Sequence, residues 1–235
     1  MKKLLLVVAA LLTFTIAQAQ KTEYRISFNS GMFSFAGNEV NETTFLFFND
    51  QTNSAYTDNS YGSKAGLSYG LSVNIQRVTK RNIIWGLDLG YETLRSKRSI
   101  IGIAGSNGTE TYELSADGQT FLNSNFTNVY PFLGYRILES PVILDLTGGI
   151  DIAHCLSAKE DGEATDSNGK KYETSSDEET IKNEIRPRIQ LSTGFKKIGL
   201  YVGYSHGLKN YREGYIPAFE SRARLVRFGL TYQIH

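Results

Sequence analysis

The chain is poor in several things that common folds depend on. Among its 235 residues stand a single cysteine, Cys155, and only three histidines. One thiol forms no internal disulfide. His235 is terminal, His206 falls among positions that read as outward-facing, and His154 adjoins Cys155, whose side chain on a strand points to the opposite face, so the two form no dyad. The glycines form no phosphate-cradling motif, and the acids have no EF-hand spacing. The reading is therefore of a non-enzymatic chain without cofactor or bound metal. The net charge is +1, and no segment joins a dense basic patch to base-stacking aromatics, which excludes nucleic acid as the expected partner. Past the first 20 residues no apolar run approaches the roughly 20 residues that a spanning helix needs. Any membrane integration has to use strands.

The one long apolar run comes first. Lys2 and Lys3 precede Leu4 to Leu12, followed by Phe14, Ile16 and the small-residue pattern Ala17, Gln18, Ala19. This is the form of a cleaved secretory signal, residues 1–19, with the mature chain from Gln20 as one domain over 20–235. No cysteine follows the apolar run, so no lipoprotein anchor is expected.

What the rest of the chain has in abundance is alternation. In the last hairpin Val226, Phe228, Leu230, Tyr232 and Ile234 share one parity against Arg227, Gly229, Thr231 and Gln233. Ile198, Leu200, Val202, Tyr204 and Leu208 likewise oppose Gly199, Tyr201, Gly203, Ser205 and Gly207. The pattern recurs over Tyr24–Phe35, Lys64–Thr79, from Ile83 past Glu92, Thr120–Arg136, Val142–Leu156 and Ile181–Lys196. In the fourth of these eight segments the parity is ambiguous, with either Val129, Pro131, Leu133 and Tyr135 or Tyr130 and Phe132 facing out, and Pro131 suits a strand end or bulge. Three short turns alternate with four long polar stretches, about 37–63, 99–118, 157–180 and 210–220. Eight strands, short turns on one side, long loops on the other and an export signal predict an all-β fold: a single eight-stranded antiparallel transmembrane barrel with periplasmic turns and extracellular loops. The loop at 157–180 is acidic and expected to be mobile; its Asp161, Asp166, Asp177, Glu178 and Glu179 offer oxygens to a hard cation, but a solvated loop is the simpler account.

On the polar parity lie Arg25, Asp88, Glu92, Asp145, Asp151, Glu184, Arg186, Arg188 and Arg227. Eight strands enclose an interior that side chains fill, so these nine are expected to pair as an ionic plug. Arg95, Lys97, Arg222 and Arg224 fall on the outer parity near the loop side, where arginine forks suit lipopolysaccharide phosphates.

Tyr24 to Gly31, the Ala17–Gln20 signal end and the closing Phe228–Ile234 segment resemble the Bacteroidota outer-membrane β-barrel proteins called PorT-like or porin-family. The resemblance implies the outer membrane and its lipids as surroundings, recognition of the closing segment by the barrel-insertion machinery, and a possible protein partner at the loops. It also carries an association of the PorT-like branch with protein secretion. The expected role is envelope-structural or surface interaction; a narrow channel, an accessory secretion component and a lipid A-modifying enzyme are the alternatives.

Overall fold

The computed structural model describes residues 19–38, 40–212 and 219–234; the signal reading falls almost wholly outside them. Eleven strands follow in order: β1 Ala19–Ala36, β2 Thr43–Asn49, β3 Ser54–Tyr56, β4 Lys64–Thr79, β5 Ile83–Ser106, β6 Thr111–Leu138, β7 Val142–Asp166, β8 Lys171–Asp177, β9 Asn183–Phe195, β10 Ile198–His206 and β11 Arg222–Gln233. Eight of them close a ring in the order β1, β4, β5, β6, β7, β9, β10, β11 and back to β1, every pairing antiparallel. The closing ladder runs from Arg25 opposite Gln233 to Ala36 opposite Arg222.

The period-two pattern explains the ring. Apolar residues of one parity stand outside, as Leu133 at 67%, Phe28 at 65% and Ile198 at 64% exposure show. In water that surface would be an aggregation hazard; in lipid it is the required girdle. Aromatics mark both edges, with Tyr24, Tyr135, Phe195 and Tyr232 toward the turn end and Tyr69, Tyr91 and Tyr204 toward the loop end. Trp85 joins the lower edge under the Arg77 guanidinium, 5.6 Å from its ring. The short turns are tight: Asn82 (φ 63°) and Lys196 (φ 55°) take the left-handed conformation that reverses the chain.

The ambiguous parity of β6 resolves with Val129, Leu133 and Tyr135 outward and Tyr130 and Phe132 buried. Two glycines make this possible: a Cβ on Gly86 would stand 2.5 Å from Phe132 Cζ, and one on Gly149 3.0 Å from Tyr130 Cε2. Pro131 sits within β6 and not at its end. It faces Leu87 on β5, while the ladder to β7 passes from Val129 to Phe132 without pairing Tyr130 or Pro131, as a residue lacking an N–H requires.

The larger departure lies outside the membrane. A spanning strand needs ~9–11 residues, yet β5, β6 and β7 have 24, 28 and 25. The stretches expected as loops at 99–118 and 157–180 are β-hairpins, and the acidic one is a paired ladder in place of a mobile segment. β2 runs parallel to the outer part of β5, β3 pairs β2, and β8 pairs β7. The resulting row β3, β2, β5, β6, β7, β8 curls until its two edges meet, where Thr174 Oγ1 donates to the Ala55 carbonyl at 2.8 Å. Inside it Leu46, Phe48, Ile100, Ile103, Ala164 and Tyr172 form a separate hydrophobic core. A folded β-dome thus stands on three of the eight barrel strands.

Candidate functional site

Read from the turn end upward, the lumen is a stack of layers. The first is a carboxylate–arginine square. Arg136 donates through Nη1 and Nη2 to Glu23 at 3.0 Å each, and through Nε and Nη2 to Asp145 at 2.7 and 3.0 Å. Arg25 adds Nη2 contacts to Glu23 at 2.6 Å and Asp145 at 3.4 Å, and Gln76 Nε2 donates to Glu23 at 2.9 Å. Such double forks are the geometry in which buried charge is best compensated.

Higher up, Arg186 reaches Glu92 at 2.6 Å and Asp151 at 2.9 Å. Arg227 also bridges these two acids, to Asp151 at 2.7 Å and to Glu92 through Nη1, while its Nε donates to Ser205. Asn128 supplies Asp151 with a further bond at 2.9 Å. Glu184 lies 3.8 Å from Arg186 and accepts from the Tyr211 hydroxyl at 2.7 Å.

All nine residues expected in the lumen face inward, but among the described residues Asp88 and Arg188 form no ion pair within 4 Å. Arg188 instead stacks 4.2 Å over the Tyr130 ring and donates to Gln190. Glu23 and Arg136 complete the lower layer without having been expected there. Glu23 precedes the recognisable start of the first strand, and Arg136 sits on the strand whose parity the sequence left open; in both cases two residues of continued alternation would have placed them.

Above the ions an apolar plug fills the barrel. Phe33, Phe35, Leu94, Leu122, Phe126, Tyr211 and Leu225 are buried together, and Phe35 meets Phe33, Tyr61 and Tyr211 edge-on at 4.8 to 5.0 Å. Above the plug, Glu160 ties dome to barrel. It accepts from Thr57 at 2.8 Å, Ser60 at 2.9 Å, Arg98 at 3.0 Å and Thr120 at 2.6 Å. Those donors come from the segment after β3, from β5 and from β6. Burial works to lower the pKa of Arg98, opposed by the Glu160 carboxylate, and the net direction is downward. Among the described residues, two lumen voids measure about 10 Å³ at the turn-side mouth and about 20 Å³ beside Asp88, each with room for a single water.

The rim residues follow one line of register across the wall. Arg224 opposes Ser34 on β1, Phe33 opposes Gly66 on β4, and Lys64 opposes Lys97 on β5. With strands ~4.8 Å apart, the bases of β5 and β11 stand about 14 Å from each other across the outer wall. Arg95 is held by Asn123 at 2.8 Å and lies 4.5 Å over the Phe121 ring. Arg222 donates to the Leu208 carbonyl and lies 3.7 Å from Glu220; Arg224 is exposed. Lys64 joins them, bonded to Ser99. In the acidic hairpin, Asp161 is engaged by Lys159 and Ser175, and Asp166 caps the turn through the amides of Asn168 and Lys170.

A closed ring of eight antiparallel strands, girdled by apolar side chains and filled by ion pairs, defines a transmembrane β-barrel. No protein-family model matches the chain, and no curated protein matches it in sequence. Among solved structures it is similar to Neisserial surface protein A, NspA, with 8% identity over 91% of this chain and 99% of that one and a TM-score of 0.38. It is also similar to Ail, the attachment invasion locus protein of Yersinia pestis, solved with the heparin analogue sucrose octasulfate; identity is 11% over 91% of this chain and all (100%) of that one, with a TM-score of 0.33. The assignment to the class rests on the chain's own ring and girdle.

Proposed function

We propose that the protein is an exported, non-enzymatic outer-membrane barrel whose work is done by the dome: it holds a folded extracellular sheet at the cell surface for contact with a partner protein. The observation that carries this reading is the contrast between the two halves. The lumen is filled by ion pairs and an apolar plug, leaving no open route among the described residues, whereas β5, β6 and β7 continue far beyond the membrane and build a second core. Strand length of that order serves no purpose in a mere wall element.

The basic rim of Lys64, Arg95, Lys97, Arg222 and Arg224 supports a second contact, with the phosphates of outer-leaflet lipopolysaccharide, since these residues stand just above Tyr69 and Tyr91 where headgroups begin. An accessory part in secretion, which the PorT-like resemblance implies, would use the same dome and not the filled lumen.

The test is topological. In a Cys155→Ala background, Ser167→Cys at the dome tip and Lys197→Cys at a short turn are exposed to a membrane-impermeant maleimide on intact cells. Labelling at 167 and not at 197 is expected. Labelling at 197 alone would invert the orientation and remove the surface role.

A further inference from the structure

The lower ionic layer is balanced, Glu23 and Asp145 against Arg25 and Arg136. The upper is not: Asp88, Glu92, Asp151 and Glu184 face Arg186, Arg188 and Arg227, an excess of one negative charge among buried groups. Buried charge of this kind needs a counter-charge. Its place is marked by unused acceptors. Asn74 and Asp88 oppose each other across β4 and β5, are 9% and 7% exposed, and each has an Oδ1 that is buried without a hydrogen-bond partner. Arg188, the nearest candidate to neutralise Asp88, is turned onto Tyr130 and Gln190. Asp88 and Asn74 line the cavity of about 20 Å³, which shares Arg25, Ser192 and Thr231 with the void at the turn-side mouth.

We propose that this cavity is a site for one alkali cation of sodium's size, bound by the Asp88 carboxylate and the Asn74 amide oxygen and reached from the turn-side mouth. A single carboxylate and a one-charge deficit fit a monovalent ion; a calcium ion would overshoot the charge and requires six to eight oxygens, usually with several carboxylates. Arg25, which also faces the cavity, is occupied by Glu23 and Asp145. Glu184 has an unpartnered Oε1 too, but it is packed where a Gly207 Cβ would come within 2.2 Å, leaving no room for an ion.

The test compares unfolding midpoints of the detergent-folded protein in sodium chloride and in N-methylglucamine chloride at equal ionic strength. A saturable rise with sodium is expected, lost in Asp88→Asn and kept in Glu184→Gln. Equal midpoints in the two salts would overturn the site. So would loss of the sodium effect in Glu184→Gln with retention in Asp88→Asn, which would place the cation at Glu184 instead. Should Asp88→Asn not fold, crystals of the natural sequence grown with thallium(I) decide: an anomalous peak between Asp88 and Asn74 supports the site, and its absence rejects it.

Discussion

Arg136 is the side chain on which the lower lumen turns, because its single guanidinium satisfies two carboxylates that otherwise face each other. Removing one partner of a buried pair costs about 3–5 kcal/mol, and Arg136→Ala is expected to lower stability by at least that much, measured as the urea midpoint of the heat-modifiable gel shift. Arg136→Lys recovers only part of it, since an ammonium cannot fork to both acids. In the dome, burial would raise the Asp161 carboxyl, but the bonds from Lys159 and Ser175 outweigh it and hold the group below its ordinary value. A depressed folded-state pKa contributes stability above the unfolded value and loses it as pH falls. Dome amide protection in hydrogen exchange should therefore decline in acid, and less so in Asp161→Asn. At this scale the sequence was readable wherever parity was: Asp145, Asp151 and Arg227 could be placed inward from alternation alone. Arg98 and Glu160 could not, because Arg98 lies among Arg95, Ser96, Lys97 and Ser99 and Glu160 among Ala158, Gly162 and Ala164, where charged, polar and small residues replace the apolar beat.

For the strands, the same reasoning explains which boundaries were visible. The lipid-facing half of each strand has a large apolar residue at every second position, so its existence was plain; beyond Tyr91 the outer side meets water and the beat fades into Arg95, Lys97 and Ser99. The dome strands bury their small core on the other parity, with Leu114 and Ala116 against Glu113, Ser115 and Asp117, a signal that is faint beside the glycines. The parallel pairing of β2 with β5 leaves no local mark at all, because it depends on residues far apart in sequence. Tight turns make a sharper prediction. With Lys196 at φ 55°, Lys196→Val should cost about 1–2 kcal/mol, while Lys196→Asn or Lys196→Gly should leave the unfolding midpoint unchanged or raised.

Taken as one object, the described residues form a barrel with a filled lumen and an offset head. Planar-bilayer recordings are expected to show no steady conductance, and Phe126→Ala should destabilise the barrel by about 3–5 kcal/mol without opening a conducting path, because the ionic layers below remain. Excising residues 100–118 and 158–178 and joining the strands by short turns should leave heat-modifiable migration intact while abolishing partner capture at the cell surface. The offset has a further consequence, for assembly. Around the ring, β1 meets β11 at the seam between the first and last strands, and β6 and β7 lie diametrically across from it. The bulky head therefore rides on the part of the wall farthest from that seam, so a barrel that shuts between β1 and β11 would do so without the head obstructing it. A sheet curling outward as it inserts would carry the dome across at its hinge side, and the barrel need only shut behind it.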